Sequence, residues 1–450
     1  MTRDLRHPGT ALIVGLGLTG VSCARHLARR GWQLAITDSR PQPPGMEQLR
    51  QFAPAARVSV GRFDASLLGG ADLVVASPGV ALAEPIFAAA RAQQIEIVGD
   101  VELFAREVQA PTVGITGTNG KSTVTTLLGR MAARGGIRVS VGGNLGTPAL
   151  ELLDAGQGSR PEMYVLELSS FQLETVSSLR LAAGAVLNLS ADHMDRYPTM
   201  QHYAAAKARV FAHCDVAVIN ADDEWVAKMP RSDQRTLRFS LRADSAAQYQ
   251  LLDSAHGPAL ARDRVPLLPV AEMKLTGTHN AANALAALAL GDATGVPLQA
   301  MLEELREFAG LAHRSQWVAQ IRGVRYVNDS KGTNVGATIA AVAGMSGALV
   351  VIAGGDGKGQ DFSPLAAAFR GRVRHVVLIG RDAATIAEAL LGVCPTETCA
   401  SLPEAVVAAA RVAQPGDTVL LSPACASLDM FRDYAHRGTV FTEAVQRLAS

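Results

Sequence analysis

Short runs of apolar residues, many of them β-branched, alternate along this chain with stretches rich in Ala and Leu. Clear examples are the runs at positions 11–14, 112–116 and 349–353. A strand that is apolar without polar alternation is typical of a parallel sheet covered by helices on both faces. The pattern therefore predicts an α/β fold built on parallel sheets.

The chain has 450 residues, and a typical size of about 150 residues per domain predicts three domains. The strand-like runs also fall into three clusters. The first cluster ends at 95–98, the second closes with helix-like stretches at 280–290 and 298–308, and the third follows 310–314. We therefore predict three domains, at residues 1–99, 100–310 and 311–450.

The formal charges nearly cancel, because 42 Lys and Arg face 41 Asp and Glu, which leaves a net charge of +1. This balance leaves no global field to attract nucleic acid or an anionic membrane, so any phosphate that the chain binds must be held by local groups. The polar start of the chain is unlike a signal peptide, and no apolar run approaches the ~18 residues of a membrane span. The five cysteines are scattered without a disulfide or zinc pattern, which predicts a cytoplasmic protein.

The first glycine-rich segment follows a strand-like run and opens a helix-like one. Gly15, Gly17 and Gly20 have the spacing that brings a backbone close to a diphosphate, and Asp38 ends the next strand-like run. This spacing is typical of a dinucleotide-binding fold, so an NAD-dependent dehydrogenase is one interpretation. A tight strand–helix turn that binds no ligand is the other.

The second glycine-rich segment, at 114–123, again joins a strand to a helix and contains Gly120, Lys121 and Ser122 in succession. Backbone N–H groups of such a loop hold phosphates, the lysine neutralises the β and γ oxygens, and the hydroxyl binds Mg²⁺. Ile115 replaces the usual first glycine, so the segment is a variant P-loop. A site for a nucleoside triphosphate beside another phosphate-binding loop disfavours a simple dehydrogenase.

Further polar residues lie at the ends of predicted strands, where parallel sheets bind their ligands. Glu167 ends one strand-like run, and a carboxylate there would face a metal bound to the P-loop. His193 and Asp195 follow another run, but a lone histidine is seldom a magnesium ligand, and both interpretations of His193 stay open. The third domain carries polar clusters that together could hold an anionic second substrate, at 313–314, 328–334, 354–358 and 422–431.

Together these segments resemble the Mur ligase superfamily, the ATP-dependent ligases that build the peptide of bacterial cell-wall precursors. The resemblance covers essentially the whole chain. Its motifs are Gly-Leu-Gly-Leu-Thr-Gly at 15–20, Ser-Pro-Gly at 77–79, Gly-Thr-Asn-Gly-Lys-Ser-Thr at 117–123, Glu-Leu-Ser-Ser-Phe-Gln at 167–172, Asp-His-Met-Asp-Arg-Tyr at 192–197, Gly-Thr-His-Asn-Ala-Ala-Asn at 277–283 and Asp-Ser-Lys-Gly-Thr-Asn at 329–334. Three features resemble most the member that adds D-glutamate, namely the first glycine loop with Asp38, Asp-Ser-Lys at 329–331 and Ser-Pro-Ala-Cys-Ala-Ser-Leu-Asp at 422–429.

The resemblance implies a Rossmann-like UDP-binding domain, a central P-loop ATPase-like domain and a C-terminal Rossmann-like domain. The residues implied for the UDP-sugar are Leu18, Thr19, Asp38, Ser39, Arg40, Ser77, Gly79, Asn144, Ser169 and His193. Those implied for ATP are Gly117, Thr118, Asn119, Gly120, Lys121, Ser122, Thr123, Asn280, Asn283, Arg314, Asp329 and Lys331. Those implied for the amino acid are Thr333, Lys358, Ser427, Leu428 and Tyr434.

The resemblance also implies two Mg²⁺ ions, held by Ser122, Glu167, His193 and Lys207. Lys207 matches a lysine that the family carries as a carbamate. Two Mg²⁺ ions would repel an ammonium, whereas added CO₂ makes an anionic oxygen ligand. The implied catalytic residues are Lys121, His193, Lys207, Arg314 and Lys331.

The expected reaction joins D-glutamate to UDP-N-acetylmuramoyl-L-alanine through an acyl phosphate. We expect no nucleic-acid or membrane partner, a monomer, and domain closure about a hinge near residues 311–313. One alternative is a sister ligase that adds another amino acid, including L-glutamate, or that extends folate with glutamate. The others are the dehydrogenase named above and a non-enzymatic nucleotide sensor or sugar-binding module.

Three features depart from the family pattern. Gly332 replaces the usual alanine, and Asp433 stands where some relatives have asparagine beside the amino-acid pocket. The interval from His193 to Lys207 is one residue shorter than in some members. A second carboxylate at position 433 would repel an acidic substrate, so we expect these differences to alter the details of the pocket.

Overall fold

The computed structural model describes residues 5–154, 160–254, 257–275, 277–345 and 347–449. The first sheet unit has five strands, in the order β3-β2-β1-β4-β5, and every neighbouring pair is parallel. These strands are β1 (Thr10–Val14), β2 (Gln33–Asp38), β3 (Arg57–Val60), β4 (Leu73–Ala76) and β5 (Glu96–Val98). Its helices are α1 (Leu18–Arg29), α2 (Met46–Phe52), α3 (Pro85–Ala92) and α4 (Asp100–Ala105).

The second sheet unit has nine strands, in the order β14-β13-β12-β11-β10-β9-β6-β8-β7. They are β6 (Thr112–Thr116), β7 (Val139–Gly143), β8 (Met163–Glu167), β9 (Leu181–Val186), β10 (Cys214–Asn220), β11 (Arg235–Ser240), β12 (Tyr249–Ser254), β13 (Gly257–Arg262) and β14 (Val265–Pro269). The helices are α5 (Lys121–Arg134), α6 (Ala149–Asp154), α7 (Ser170–Leu173), α8 (Met200–Ala208), α9 (Thr278–Ala293) and α10 (Leu298–Glu307). The last three strands pair antiparallel.

The third sheet unit has six strands, in the order β15-β16-β20-β17-β18-β19, with only the β15–β16 pair antiparallel. They are β15 (Gln316–Ile321), β16 (Val324–Asn328), β17 (Leu349–Gly354), β18 (Val373–Ile379), β19 (Thr396–Thr398) and β20 (Thr418–Leu421). The helices are α11 (Val335–Gly344), α12 (Pro364–Phe369), α13 (Ala383–Ala389), α14 (Leu402–Val412) and α15 (Tyr434–Ala449).

The central strands of all three sheets are apolar because both of their faces are covered. Each residue of β6 and of β17 is buried, and so is each residue of β4. Helix α9 is apolar on nearly every side because it packs between α5 and the sheet. The predicted α/β class is confirmed. The antiparallel edge strands β12, β13 and β14 are the main feature that the parallel-sheet prediction omitted.

The first and second sheet units meet through buried polar contacts around α4 and α7. Gln172 Nε2 donates to Asp100 Oδ2 at 2.9 Å. Glu102 accepts hydrogen bonds from the backbone N–H groups of Ser177 and Ser178, at 2.7 and 2.9 Å. These contacts hold the first unit close to the carboxyl end of β8, where Glu167 and other polar residues lie.

Among the described residues, no helix is both long enough and apolar enough to cross a membrane. All five cysteines carry free thiols, so no disulfide joins any two of them. Cys23 and Cys425 are buried in the cores of the first and third units, where burial raises the pKa of each thiol.

Candidate active site

The loop between β6 and α5 has the geometry of a phosphate-binding loop. Gly117 and Gly120 have φ angles of +148° and +84°, which suit glycine. A side chain at Gly120 would also collide with Asn283, because its Cβ would lie 2.4 Å from that residue's Oδ1. Lys121 Nζ folds over the loop and donates to the carbonyl oxygens of Gly117 and Thr118, at 2.9 and 2.8 Å. The start of α5 therefore faces a cradle of backbone groups suited to an anion.

A carboxylate–hydroxyl pair lies at the start of α5. Ser122 Oγ donates to Glu167 Oε2 at 2.6 Å, and Asn144 Nδ2 donates to Glu167 Oε1 at 2.7 Å. Burial opposes ionisation of Glu167, but Lys121 and these two hydrogen bonds more than offset it and lower the pKa of this carboxyl. A charged carboxylate beside a hydroxyl is a donor set that fits Mg²⁺.

Lys207 lies beneath the same loop, with its side chain almost completely buried. Its Nζ donates to the Gly117 carbonyl at 2.9 Å and lies 4.7 Å from the centre of the Tyr203 ring. Burial, with the charge of Lys121, lowers the pKa of Lys207 well below its usual range. As an unmodified amine Lys207 does not fit a cation site, but a carbamate on Nζ would supply the oxygen ligands that Mg²⁺ prefers.

No three His, Cys, Asp or Glu side chains of the described segments are grouped as a metal site. That grouping is not required for Mg²⁺, which keeps several waters and is commonly bound by one or two carboxylates together with substrate phosphates. The residues present therefore fit Mg²⁺ held jointly with a nucleotide.

His193 occupies a constrained turn beside this cluster. Its φ angle is +58°, and its ring meets that of Phe171 edge-on, with the ring centres 4.8 Å apart. Burial lowers the pKa of His193 to about 4, although Asp192 acts in the opposite direction. The imidazole is therefore uncharged at neutral pH, and an uncharged ring nitrogen is able to bind a metal.

Three positively charged side chains of the third unit extend to the residues around the phosphate-binding loop. Arg314 Nη2 donates to Ser122 Oγ at 2.6 Å, and Lys358 Nζ lies 2.5 Å from Asp192 Oδ1. Lys331 Nζ lies 3.7 Å from the centre of the Tyr434 ring. Burial, with the charge of Arg314, lowers the pKa of Lys331 to about 7. The third unit thus brings positive charge against the phosphate-binding loop.

Two cavities meet at this junction. One, of about 330 Å³, includes these predicted ATP residues in its lining: Asn119, Gly120, Thr123, Asn280, Asn283, Arg314, Asp329 and Lys331. The other, of about 250 Å³, includes these predicted residues: Thr118, Asn119, Gly120, Lys121, Asn144, Glu167, Ser169, His193, Lys207, Arg314, Lys331, Thr333 and Lys358. The structure therefore brings together residues that the sequence separates by more than 200 positions.

The residues predicted to hold UDP in the first unit line neither of these cavities. Asp38 accepts from the Leu16 N–H at 2.7 Å and pairs with Arg40, while Ser77 Oγ donates to the Gly15 carbonyl at 2.6 Å. Leu18 is 64% exposed at the mouth of this glycine loop. The remaining members of the group lie at the surface or partly buried, and they are Thr19, Ser39 and Gly79.

Only some of the residues predicted to bind the amino-acid substrate line the two cavities. Thr333 and Lys358 line the smaller cavity, and Tyr434 is linked to it through Lys331. Ser427 and Leu428 line neither cavity. Ser427 is buried, whereas Leu428 is 72% exposed. The loop that carries these two residues is nevertheless held beside the segment of Lys358, because Ala426 and Asp356 exchange two backbone hydrogen bonds.

The departures from the family pattern have local structural roles. Gly332 lies where a Cβ would approach Asp329 Oδ2 to 2.6 Å and Ser422 Oγ to 2.8 Å, so an alanine would require the bond between those side chains to shift. Asp433 is exposed, and its Oδ1 accepts from the His436 N–H at 2.7 Å near the start of α15. The shorter interval to Lys207 still leaves His193 and Lys207 on one cavity.

Sequence reasoning gave no site role to several residues that organise this junction. Asn334 Nδ2 donates to Asp192 Oδ2 at 3.2 Å, and Asn188 Oδ1 accepts from the Asn119 N–H at 2.8 Å. Asp192 could have been predicted as a site residue, because it directly precedes the candidate residue His193. Asn334 lies within the polar cluster at 328–334, but Asp192 and Asn119, its partners, are more than 140 residues away in the sequence, and Asn188 is 69 residues from its partner Asn119.

The three sheet units and the junction between them define a nucleotide-dependent enzyme in which a phosphate-binding loop faces a second substrate pocket. Family models agree over most of the chain. A Mur ligase MurD-like N-terminal domain matches residues 9–99, the Mur ligase middle domain matches 115–291, and the Mur ligase glutamate ligase domain matches 313–425. The chain belongs to the Mur ligase family of ATP-dependent ligases, as the sequence predicted.

Relatives of known name carry this assignment further. A protein from Nitrosococcus oceani is 52% identical over 98% of this chain and 97% of its own length, and one from Methylobacillus flagellatus is 52% identical over 97% and 96%. Both are named UDP-N-acetylmuramoylalanine–D-glutamate ligase.

Solved structures show the same fold. The UDP-N-acetylmuramate-alanine ligase MurC of Thermotoga maritima has a TM-score of 0.60, at 20% identity, over 98% of this chain and all of its own. The MurF ligase of Thermotoga maritima in complex with ADP has a TM-score of 0.61, at 16% identity, over the whole of both chains.

Proposed function

We propose that this chain joins D-glutamate to UDP-N-acetylmuramoyl-L-alanine in the assembly of a peptidoglycan precursor. ATP is converted to ADP and phosphate, and an amide bond forms between the L-alanine carboxyl group and the amino group of D-glutamate. The observation that carries the proposal is the meeting of the two cavities at Arg314 and Lys331, since one faces the phosphate-binding loop and the other faces Thr333 and Lys358. The names of the relatives supply the substrates.

In the first step, an oxygen of the L-alanine carboxylate attacks the γ-phosphorus of ATP, and the bond to the β–γ bridging oxygen breaks to release ADP. Negative charge on the transferring group is met by Lys121, Arg314 and Lys331, which converge on this region. Most of the catalysis in such a transfer is electrostatic and positional. Asn280 and Asn283, in the larger cavity, would contact the adenine, while Asp329 would lie near the ribose.

Ser122 and Glu167 would hold one Mg²⁺ ion, and His193 and a carbamylated Lys207 would hold a second. Bound Mg²⁺ neutralises phosphate oxygens and orients the γ-phosphate for attack. The role of the chain is to keep Glu167 ionised and aimed by Ser122 and Asn144. The burial of Lys207 beside Gly117 keeps its Nζ next to the phosphate-binding loop.

In the second step, the amino group of D-glutamate attacks the acyl phosphate carbonyl, loses a proton and releases phosphate. Lys358 and Thr333 would bind the carboxylates of D-glutamate, assisted by Ser427, Leu428 and Tyr434 from the neighbouring loop and helix. Holding the amine close to the carbonyl is the main contribution of the protein to this step. A monomer suffices for the whole reaction, because all three sheet units belong to one chain, and we expect this monomer to act in the cytoplasm.

Phosphate release from ATP tests this proposal. The assay supplies UDP-N-acetylmuramoyl-L-alanine and Mg²⁺ with a panel of single amino acids that includes D-glutamate and L-glutamate. We expect release to require the UDP-sugar and to be fastest with D-glutamate. Faster release with another amino acid would instead indicate a sister ligase, and nucleotide binding without any release would indicate a sensor.

The Lys207→Ala variant tests the proposed second metal site within the same assay. We expect loss of activity that added bicarbonate does not restore, because alanine has no nitrogen to carry a carbamate. Lys228, on the surface of the same unit, gives a matched control, and its Lys228→Ala variant should keep the parental rate. Full activity of Lys207→Ala would show that the carbamate is not needed.

A further inference from the structure

Arg196, in the second sheet unit, joins a loop of the first unit to the turn that carries His193, and both segments contain residues predicted to bind the UDP-sugar. Its Nη1 donates to the Pro78 carbonyl at 2.9 Å, and its Nη2 donates to the Val80 carbonyl at 3.2 Å. Residues 77–80, here called the sugar loop, follow β4 and include the predicted ligands Ser77 and Gly79. Arg196 thus holds the carbonyl groups on both sides of Gly79.

On its other face, Arg196 contacts Phe171 and so the central site, by which we mean the residues around His193 and the phosphate-binding loop. Its guanidinium carbon lies 4.1 Å from the centre of the Phe171 ring, and that ring contacts His193. Glu174 Oε2 accepts from Nη2 at 3.1 Å and fixes the orientation of the guanidinium. The Arg196 backbone N–H also donates to the His193 carbonyl at 2.9 Å, so the turn that sets His193 sets Arg196 as well.

These contacts form a continuous path from the central site to the glycine loop of the first unit. The path runs from His193 and Phe171 through Arg196 to the sugar loop, and then from Ser77 Oγ to the Gly15 carbonyl at 2.6 Å. Only a planar guanidinium can stack on a ring while it donates to two carbonyls and a carboxylate. The side chain is 13% exposed, so these interactions are largely shielded from water.

We infer that Arg196 is a positioning residue that fixes the distance between the sugar loop and the reacting carboxylate of the sugar nucleotide. This inference rests on the proposed function. The substrate must span both sheet units, and a displacement of about 1 Å at the reacting atoms is enough to slow a reaction by about a hundredfold. Arg196 contacts the sugar loop through backbone carbonyls, so its effect does not depend on the side chains of that loop.

The test compares ligands that span the junction with ligands that do not. Under the proposed function, UDP alone would contact only the first unit and ATP only the second and third, whereas UDP-N-acetylmuramoyl-L-alanine would span the first and second. For Arg196→Met we expect kcat with the sugar nucleotide to fall by up to about a hundredfold, and its KM and calorimetric Kd to rise about tenfold. The Kd of UDP and the KM of ATP should stay within about twofold of the parental values, because those ligands do not need the junction to be fixed.

Two further variants separate positioning from general stability. Arg196→Lys keeps a cation over Phe171 but cannot reach both carbonyls, so its KM for the sugar nucleotide should be intermediate. Arg231 donates to the carbonyl groups of Phe211 and Ala212 within one unit, and Arg231→Ala should change none of these constants. If Arg196→Met and Arg196→Lys weaken UDP and ATP as much as the sugar nucleotide, or weaken nothing, the inference is wrong. Failure of the parental enzyme to release phosphate would instead overturn the proposed function.

Discussion

Asn119, in the phosphate-binding loop, and Asn334, at the start of α11, exchange two hydrogen bonds between their side-chain amides. Asn334 Nδ2 donates to Asn119 Oδ1 at 3.2 Å, and Asn119 Nδ2 donates back to Asn334 Oδ1 at 3.4 Å. Asn334 Oδ1 also accepts from the Ala337 N–H at 2.8 Å and so caps α11. One side chain therefore joins the start of a helix in the third unit to the phosphate-binding loop.

The Asn334→Ser variant should separate the helix cap from the contact between units. Serine caps a helix about as well as asparagine, but its shorter side chain cannot reach Asn119. With ATP and the sugar nucleotide present, we expect turnover to fall about tenfold, because the third unit is less often held against the loop. Small-angle scattering should show less compaction by ligands than in the parental enzyme.

The matched control for this variant is Ser401→Ala. Ser401 caps α14 in the same unit, away from both cavities, by accepting from the Glu404 N–H. This variant loses a cap and should keep the compaction and the rate. An Asn334→Ser enzyme with the parental rate and radius would show that the amide pair does not contribute to closure.

Arg314 should be needed for turnover more than for nucleotide binding. Its hydrogen bond to Ser122 places the guanidinium at the meeting point of the two cavities. Lysine keeps the charge but lacks the planar fork, so for Arg314→Lys we expect kcat to fall about a hundredfold with a small change in the KM of ATP. The control is Arg322→Ala, in the exposed turn between β15 and β16. A raised KM with an unchanged kcat would contradict a role in the transition state.

ATP binding should take up a proton at Lys331. Burial, with Arg314 nearby, lowers the pKa of this amine to about 7, so it is mostly uncharged at pH 8. A bound phosphate favours the charged form and raises the pKa again. Calorimetry of ATP binding in buffers of different ionisation enthalpy should show uptake of about half a proton or more at pH 8 and little at pH 6. Lys331→Arg should abolish the uptake, and an equal uptake in that variant would assign the proton to another group.

Apolar runs were sufficient to predict the central strands, because a strand covered on both faces must be apolar whatever surrounds it. The runs at 112–116 and 349–353 correspond to β6 and β17. Strands β12 to β14 were not predicted, since they form the edge of a sheet and mix exposed with buried residues. Their pairing depends on hairpin geometry more than on composition.

In the candidate site, too, the local structure could be predicted from the sequence, whereas the contacts between distant residues could not. The spacing of Lys121 and Ser122 after Gly120 encodes a local structure, so the sequence alone indicates a phosphate-binding loop. The contacts of Asn334 with Asp192 and of Arg196 with the sugar loop join positions 142 and 118 residues apart. Such contacts arise only when whole units pack together, and no local pattern records that packing.

Helix α4, at the junction of the first and second units, carries two buried carboxyl groups with opposite responses to pH. Burial raises the pKa of Asp100 to about 6, although Gln172 donates to it. Burial also opposes ionisation of Glu102, but hydrogen bonds from Ser177, Ser178 and Arg106 more than offset it and lower the pKa of that group. Relative to the unfolded chain, folding therefore makes Asp100 easier to protonate and Glu102 easier to ionise.

These two shifts predict stability changes of opposite sign. The pKa of Asp100 is higher in the folded than in the unfolded state, so Asp100 costs stability as the pH rises from about 4 to 6 and costs most above 6, on the order of 3 kcal/mol. Asp100→Asn should therefore melt at a higher temperature than the parental protein at pH 8, and the gap should close towards pH 4. Glu102 stabilises the fold above its unfolded pKa and loses this effect as the pH falls, so Glu102→Gln should melt lower at pH 8, with a gap that narrows in acid. Melting curves of both variants between pH 3 and 8 check this, because the gap for Glu102→Gln narrows only below the unfolded pKa of about 4.3. Shifts of the same sign at pH 8 would contradict the two opposite pKa shifts.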